Sequence, residues 1–261
     1  MKIGIIGAGN MGGAIARGLV NKNTLSASDI VVCDLGEDKL SEMGKDCPGI
    51  NVSTDNVDAT RGTDVIVIAV KPWLVGVVLS GIASSIDYSR QSVVSIAAGV
   101  TIDELQAMTS PEASIFRLIP NTAISVGESM TFISHNKVAT VAQIDAVVAM
   151  FDTLGKASVI EERLMGAATA LCSCGIAYAM RYVRAAMEGG VEMGIYPGES
   201  KEYVLQTLRG AVALLESTGN NPEVEIDKVT TPGGITIKGL NEMEANGFSN
   251  AVIKGLKASN K

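Results

Sequence analysis

Three glycines, Gly7, Gly9 and Gly12, stand at GxGxxG spacing directly after the short apolar run KIGII at residues 2–6. The stretch that follows, GAIARGLV, carries Ala14, Ile15, Leu19 and Val20 at helical spacing. Strand, glycine turn and helix in that order make a seat for a pyrophosphate. Gly7 permits the turn, Gly9 lets the phosphates approach the backbone, and Gly12 lets helix and strand pack closely. The helix start adds free amides and a positive dipole end. Gly7, Ala8, Gly9, Asn10, Met11 and Gly12 are therefore candidate dinucleotide contacts. A second strand at residues 30–33 ends in Asp34, about 20 residues past the fingerprint, where a carboxylate accepts from the ribose 2′-hydroxyl of NAD.

The elements that position this turn recur at the intervals of a βαβ sheet. Residues 64–70 (DVIVIAV) form a near-continuous β-branched run, as a parallel strand buried on both faces requires, and end at Lys71-Pro72. Residues 92–96 run into Ala97-Ala98-Gly99, and residues 114–119 into Pro120-Asn121-Thr122. Strand ends in such sheets border the ligand crevice, so Ala69, Val70, Lys71, Pro72, Ala97, Ala98 and Gly99 join the cofactor candidates. Residues 130–134 and 157–160 complete the sheet. The fold class is an α/β Rossmann-type doubly wound sheet followed by an all-α C-terminal dimerisation domain. The domains are 1–160, dinucleotide-binding, and 161–261, helical, substrate-binding and dimerising.

From residue 161 the pattern changes. EERLMGAATALCSCGIAYAMRYVRAAMEGGVEMGI is small and apolar around most of a helix, with a break expected at Gly189-Gly190. Such a helix must be buried on most faces, and about 100 residues cannot cover it alone, so a dimer interface is its expected home. KEYVLQTLRGAVALLEST supplies another helix, with Val204, Leu208, Ala211 and Leu215 on one face, and residues 239–259 supply the last ones. One segment does not fit: TTPGGIT at residues 230–236, a hydroxyl-rich, glycine-bearing turn inside a helical third.

Composition narrows the function. With 47% hydrophobic residues but only 4% aromatic ones, the core is aliphatic. A formal net charge of -7 argues against nucleic acid and anionic membrane as partners, since both require a basic face. The N-terminal run is interrupted by glycine before it could serve as a signal peptide, and no stretch approaches the roughly 18 to 20 uninterrupted apolar residues of a membrane span. Four cysteines without a CxxC pair form no disulfide framework. A soluble cytoplasmic protein is the expectation. The single histidine, His135, has no triad or metal-ligand set around it in the sequence and is expected at a strand end on the surface.

The residues resemble the pyrroline-5-carboxylate reductase family. The resemblance lies in GIIGAGNMGGAI, Asn56, AVKP at 69–72, SIAAGV at 95–100, RLIPNTA at 117–123, GIAYAMRYVRAAMEGGVEMGI, QTLRGA at 206–211 and VTTPGGITIKGLNEMEANGF at 229–248, in order along essentially the whole chain. It implies reduction of the cyclic imine 1-pyrroline-5-carboxylate to L-proline with NADH or NADPH, by a homodimer that in the family often assembles into a decamer. It also implies that Thr231 and the amides of Gly234, Ile235 and Thr236, in a turn opened by Gly233, hold the substrate carboxylate as an anion nest. The Thr236 hydroxyl would face the ring nitrogen as the catalytic group. Glu162 matches a position near the substrate, and Asn56 a cofactor contact. Lys71 is assigned to cofactor binding rather than proton transfer.

Two departures from the family pattern stand out. Where the family reads SGSGPAY, this chain has Cys172-Ser173-Cys174-Gly175-Ile176-Ala177-Tyr178. Where many members place Asn-Arg or Ser-Arg after the second strand, this chain has Asp34-Leu35-Gly36-Glu37, so NADH is expected to be preferred over NADPH. The alternatives are a reductase of another cyclic imino acid, a β-hydroxyacid dehydrogenase on the same scaffold, or a non-enzymatic NAD(H)-binding regulator. The dehydrogenases carry a lysine on the first long helix of the second domain, where this chain has Arg181 and Arg184.

Overall fold

The computed structural model describes residues 1–260. Along the chain run β1 (Ile3–Ile6), α1 (Asn10–Asn21), β2 (Ile30–Cys33), α2 (Glu37–Asp46), β3 (Asn51–Ser53), β4 (Val65–Ile68) and α3 (Val75–Ile82). Next come β5 (Ser92–Ser95), α4 (Ile102–Ala107), β6 (Ser114–Ile119), β7 (Ser129–His135), α5 (Val141–Asp152) and β8 (Gly155–Val159). The remainder is helical: α6 (Met165–Ala168), α7 (Gly175–Glu192), α8 (Pro197–Thr218), α9 (Pro222–Lys228), α10 (Ile235–Ala245) and α11 (Phe248–Ser259). The chain divides into two compact units, Met1–Ser173 and a second beginning at Cys174.

In the first unit the strands form one sheet in the order β3-β2-β1-β4-β5-β6-β7-β8. Every neighbouring pair is parallel except β6 with β7. The strand order reverses beside β1, which pairs with both β2 and β4, and the register sets Ile6 opposite Cys33 and Ile68. All three strands thus end level with one another. The period-2 alternation of a strand explains the two cores. Ile3, Ile5, Val65 and Val67 face α1 and α5, where Ile15, Leu19, Val147 and Phe151 cover them. Ile6, Ile66 and Ile68 face the other way, onto Val75, Leu79 and Ile82 of α3. Full burial of each such side chain contributes about 1.5–3 kcal/mol. Gly4 allows β1 to pass the Ala59 backbone, which any side chain there would strike.

The edge strand β3 was not evident from the sequence, because NVS offers one apolar residue and the strand has only three residues. Residues 162–173 pack with the first unit rather than with the helices that follow. Met165, Ala168 and Ala170 are buried, and the Ser173 hydroxyl donates to the Pro120 carbonyl at 3.2 Å. Thr169–Cys174, which holds Cys172, Ser173 and Cys174 of the departure from the family pattern, is π-helical, a form frequent at functional positions, while Ile176 of that departure lies in the first turn of α7.

In the second unit α7 runs unbroken through Gly189 and Gly190, against the expected break. The reason is packing. A side chain at Gly190 would strike Ser200 in the first turn of α8, whose hydroxyl donates to the Met187 carbonyl at 3.1 Å. The glycine therefore brings α8 close to α7 rather than ending the helix. On α8, Val204, Leu208 and Leu215 are half-buried while Ala211 is exposed. The helical run Glu162–Glu192 is long and apolar enough to cross a membrane by length and composition alone, although charged residues interrupt its apolar sequence.

Candidate functional site

The expected strand ends surround one cleft. It encloses about 1160 Å³ at the carboxyl ends of β1, β2, β4 and β5, beside the point where strand order reverses. That is where doubly wound sheets take their ligands, and the cleft exceeds the roughly 300–1,000 Å³ of most small-molecule pockets. Its walls include Gly7, Gly9, Asn10 and Met11 from the first loop, Asp34, Asn56, the loop 69–72, and Ala97 with Ala98. Three expected contacts lie outside the walls. Ala8 turns its amide to Asp34, Gly12 sits beneath the loop, and Gly99 follows the lining residues at a φ of 81°.

The glycines fit a dinucleotide by what a side chain at each would meet. At Gly7, with φ 110°, it would run into the Ala69 carbonyl, and at Gly12 into the Gly7 carbonyl. Those two glycines close the loop onto the sheet and helix. A side chain at Gly9 meets nothing within 4 Å, so that face of the loop is open to the cleft and available to phosphates. Gly9 is also the N-cap of α1 and offers no side chain of its own to the first-turn amides.

Asp34 does more than end β2. Its Oδ2 accepts from the Ala8 amide and its Oδ1 from the Gly36 amide, both at 2.8 Å, and the Lys39 ammonium stands 3.2 and 3.3 Å from the two oxygens. Burial alone would push this carboxyl up. The donors of Gly36, Ala8 and Lys39 outweigh it and hold the carboxyl below its ordinary value. A carboxylate offers about four acceptor sites and these contacts use all of them, so a ribose hydroxyl finds a lone pair where it displaces one from the exposed Lys39 ammonium. Beside it, the Cys33 thiol is pushed up to about 12, first by burial and then by the negative charge of Asp58. It is a packing residue rather than a nucleophile. Asp55 caps the short helical turn that carries Asn56 by accepting from the Val57 amide at 2.9 Å.

Glu162 is committed within the first unit. Its Oε1 accepts from Arg117 at 2.9 Å and from the Ile102 amide at 2.8 Å, clasping β6 to the start of α4. The Arg117 Nε is buried without a hydrogen-bond partner among the described residues. His135 ends β7, half-buried, with its ring tilted against Phe116 at 6.0 Å between centroids.

In the second unit TTPGGIT joins α9 to α10. Pro232 and Gly233 occupy the centre of a turn closed by the Gly234 amide on the Thr231 carbonyl at 2.9 Å. Proline followed by a residue at φ 70° is the type II arrangement. The Gly234 amide is thereby already engaged inside the turn. A side chain at Gly234 would press on the Thr231 hydroxyl at 2.6 Å. Gly234 caps α10 without a side chain, and the amides of Ile235 and Thr236 belong to the first turn, which has no intrahelical acceptors. Both residues are exposed, Ile235 to 87%.

Sequence reasoning passed over Lys39, Thr54 and Asp55 in the cleft wall, and over Arg117 as the partner of Glu162. Lys39 had a signal, being the one cation in the acidic stretch 30–44. Arg117 had none, since 45 residues separate it from Glu162.

Fold and cleft define a dinucleotide-binding protein of the doubly wound class, followed by a helical unit. Residues 162–261 match the family model for pyrroline-5-carboxylate reductase dimerisation, and residues 2–99 match that for coenzyme F420-dependent NADP oxidoreductase. Pyrroline-5-carboxylate reductase 2 of Dictyostelium discoideum is 35% identical over 98% of this chain and 90% of its own length. The chain is equally similar to pyrroline-5-carboxylate reductase 1 of that organism, but spans only 48% of its length. The crystal structure of the Plasmodium falciparum pyrroline carboxylate reductase with NADP bound superposes with a TM-score of 0.89 at 30% identity, covering 99% of this chain and 95% of that one. The chain belongs to the pyrroline-5-carboxylate reductase family.

Proposed function

We infer that this chain reduces 1-pyrroline-5-carboxylate to L-proline with a nicotinamide dinucleotide. The observation that carries it is one chain holding both a cleft shaped for a dinucleotide and an exposed, threonine-bearing turn at a helix start, in a sequence similar to reductases of that name over nearly its whole length.

Residues 1–160 bind the cofactor. The open side of Gly9 and the first turn of α1 receive the pyrophosphate, and Asp34 accepts from the adenosine ribose. The loop 69–72, Asn56, Ala97 and Ala98 border the rest. Bound in the cleft, the nicotinamide supplies the hydride. Because the Asp34 carboxylate suits a hydroxyl better than a phosphate, NADH is preferred.

Residues 161–261 bind the substrate and form a homodimer. The amides of Ile235 and Thr236 and the Thr231 hydroxyl hold the carboxylate, with Gly233 and Gly234 shaping the turn. The Thr236 hydroxyl orients the proton on the ring nitrogen. An imine protonated at nitrogen is already an electrophile, so the protein needs no base to strip a hydroxyl proton. Holding the iminium carbon near the hydride donor is the larger part of the work. An alcohol is too weak an acid to be the ultimate proton source, which is water or substrate protonated before binding.

The test is oxidation of NADH and of NADPH, in parallel, with pyrroline-5-carboxylate. Turnover, faster with NADH, is the expected result. Binding of cofactor without turnover of the imine would instead favour a non-enzymatic regulator.

A further inference from the structure

The cleft contains a cation that hydrogen bonding to a ribose does not require. Lys39 stands in the first turn of α2 and lines the cleft beside Asp34, Leu35 and Gly36. Its ammonium reaches both carboxylate oxygens of Asp34, at 3.2 and 3.3 Å. The two partners are held unequally. The Asp34 side chain is 13% exposed and anchored by the Ala8 and Gly36 amides, whereas that of Lys39 is 53% exposed. Lys39 is therefore the movable member of the pair.

The surroundings make that mobility consequential. Between residues 30 and 44 Lys39 is the only cation in a stretch that also holds Asp34, Glu37, Asp38 and Glu42. A phosphate on the adenosine 2′-oxygen would bring roughly two negative charges to the carboxylate that otherwise accepts from that oxygen. An ammonium on a flexible four-carbon stem can leave one anion for another a few ångströms away, which an anchored carboxylate or a backbone amide cannot do.

We propose that Lys39 is the specificity-determining counter-ion of the cleft: it neutralises Asp34 when the ribose carries a hydroxyl, and pairs with the 2′-phosphate when NADPH binds. Lys39 thus keeps NADPH usable in a pocket whose carboxylate favours NADH. The proposal rests on the cleft taking a dinucleotide, and its test separates the two.

Dissociation constants for NADH and NADPH are measured by calorimetric titration of the full chain as wild type, Lys39→Met and Lys39→Arg. Adenosine 2′,5′-bisphosphate and 5′-AMP serve as probes that carry the ribose without the nicotinamide. In Lys39→Met the ratio of the NADPH to the NADH constant is expected to rise by about 5- to 20-fold, the scale of one partly screened charge-assisted contact. The bisphosphate should weaken against 5′-AMP in parallel, and Lys39→Arg should hold the wild-type ratio within about twofold, since the cation is retained. A ratio unmoved by Lys39→Met, or both cofactors weakened by one common factor, overturns the assignment. Wild-type protein that binds neither cofactor nor either probe overturns the dinucleotide cleft itself, and Lys39 with it.

Discussion

The two units treat their apolar residues in opposite ways. In Met1–Ser173 the isoleucines, valines and leucines of the sheet are closed between helix layers, many of them wholly inaccessible. From Cys174 onward, among the described residues, only Gly190 and Ser200 are buried, and no hydrophobic side chain is. Met180, Tyr182, Val191 and Met193 of α7 and its C-terminal end, Val212 and Leu214 of α8, and Val252 and Ile253 of α11 are all exposed. A helical unit with no closed core cannot offset the entropy of its own ordering. The first unit stabilises itself. The second is half of something, consistent with a family model named for dimerisation that matches residues 162–261.

The contrast can be broken most directly at α7. Met180→Glu places a charge on a side chain 60% exposed in the single chain, while Val126→Glu does the same at a residue 70% exposed in the first unit. If a second copy covers α7, Met180→Glu raises the dimer dissociation constant by about 100-fold or more, because burying an unpaired charge costs several kcal/mol. Val126→Glu stays within about 0.5 kcal/mol of wild-type stability. Light scattering across a dilution series and urea unfolding report the two effects. Equal behaviour of the two variants would mean that α7 is an ordinary wet surface.

The glycine loop sharpens the claim that the first unit is self-supporting. A methyl at Gly12 has no room beneath the Gly7 carbonyl, so Gly12→Ala should destabilise the unit by about 1–3 kcal/mol. Gly9→Ala has open space around it. It should leave the unfolding midpoint in place while weakening NADH binding by about 10-fold. Loss of stability in Gly9→Ala would show that the loop's open face is structural after all.

On the helical side, Thr236→Ala is expected to lower kcat by roughly 10- to 100-fold, as for a positioned proton-transfer group, with cofactor affinity retained. Unchanged turnover removes the hydroxyl from the chemistry. The smallest effect concerns pH. The Asp34 carboxyl is held below its ordinary value in the folded chain, so its ionised form favours the fold. That contribution is complete above the unfolded value of about 3.9 and is lost as pH falls through the lower folded value. Asp34→Asn should therefore flatten the stability curve below about pH 4 relative to wild type. Curves of equal slope would mean that the bonds from Ala8 and Gly36 add nothing to stability.

What the amino-acid sequence determined by itself was whatever depends on neighbours along the chain. The glycine spacing, the β-branched runs ending at Asp34, Lys71 and Ala97, and the shift to helical periodicity after residue 160 were legible because strand and helix periods are local properties. The proline and glycines of TTPGGIT likewise announced a turn. Tertiary structure alone decided which groups are already engaged. It set Glu162 on Arg117 and on the Ile102 amide, brought Lys39 onto Asp34, and used the Gly234 amide within its own turn. It also carried α7 through Gly189 and Gly190 and recruited three residues with a single apolar side chain as the edge strand β3. Each of these depends on what stands opposite in space. A buried donor, acceptor or charge must find a partner wherever the fold brings one, and sequence spacing does not record that choice.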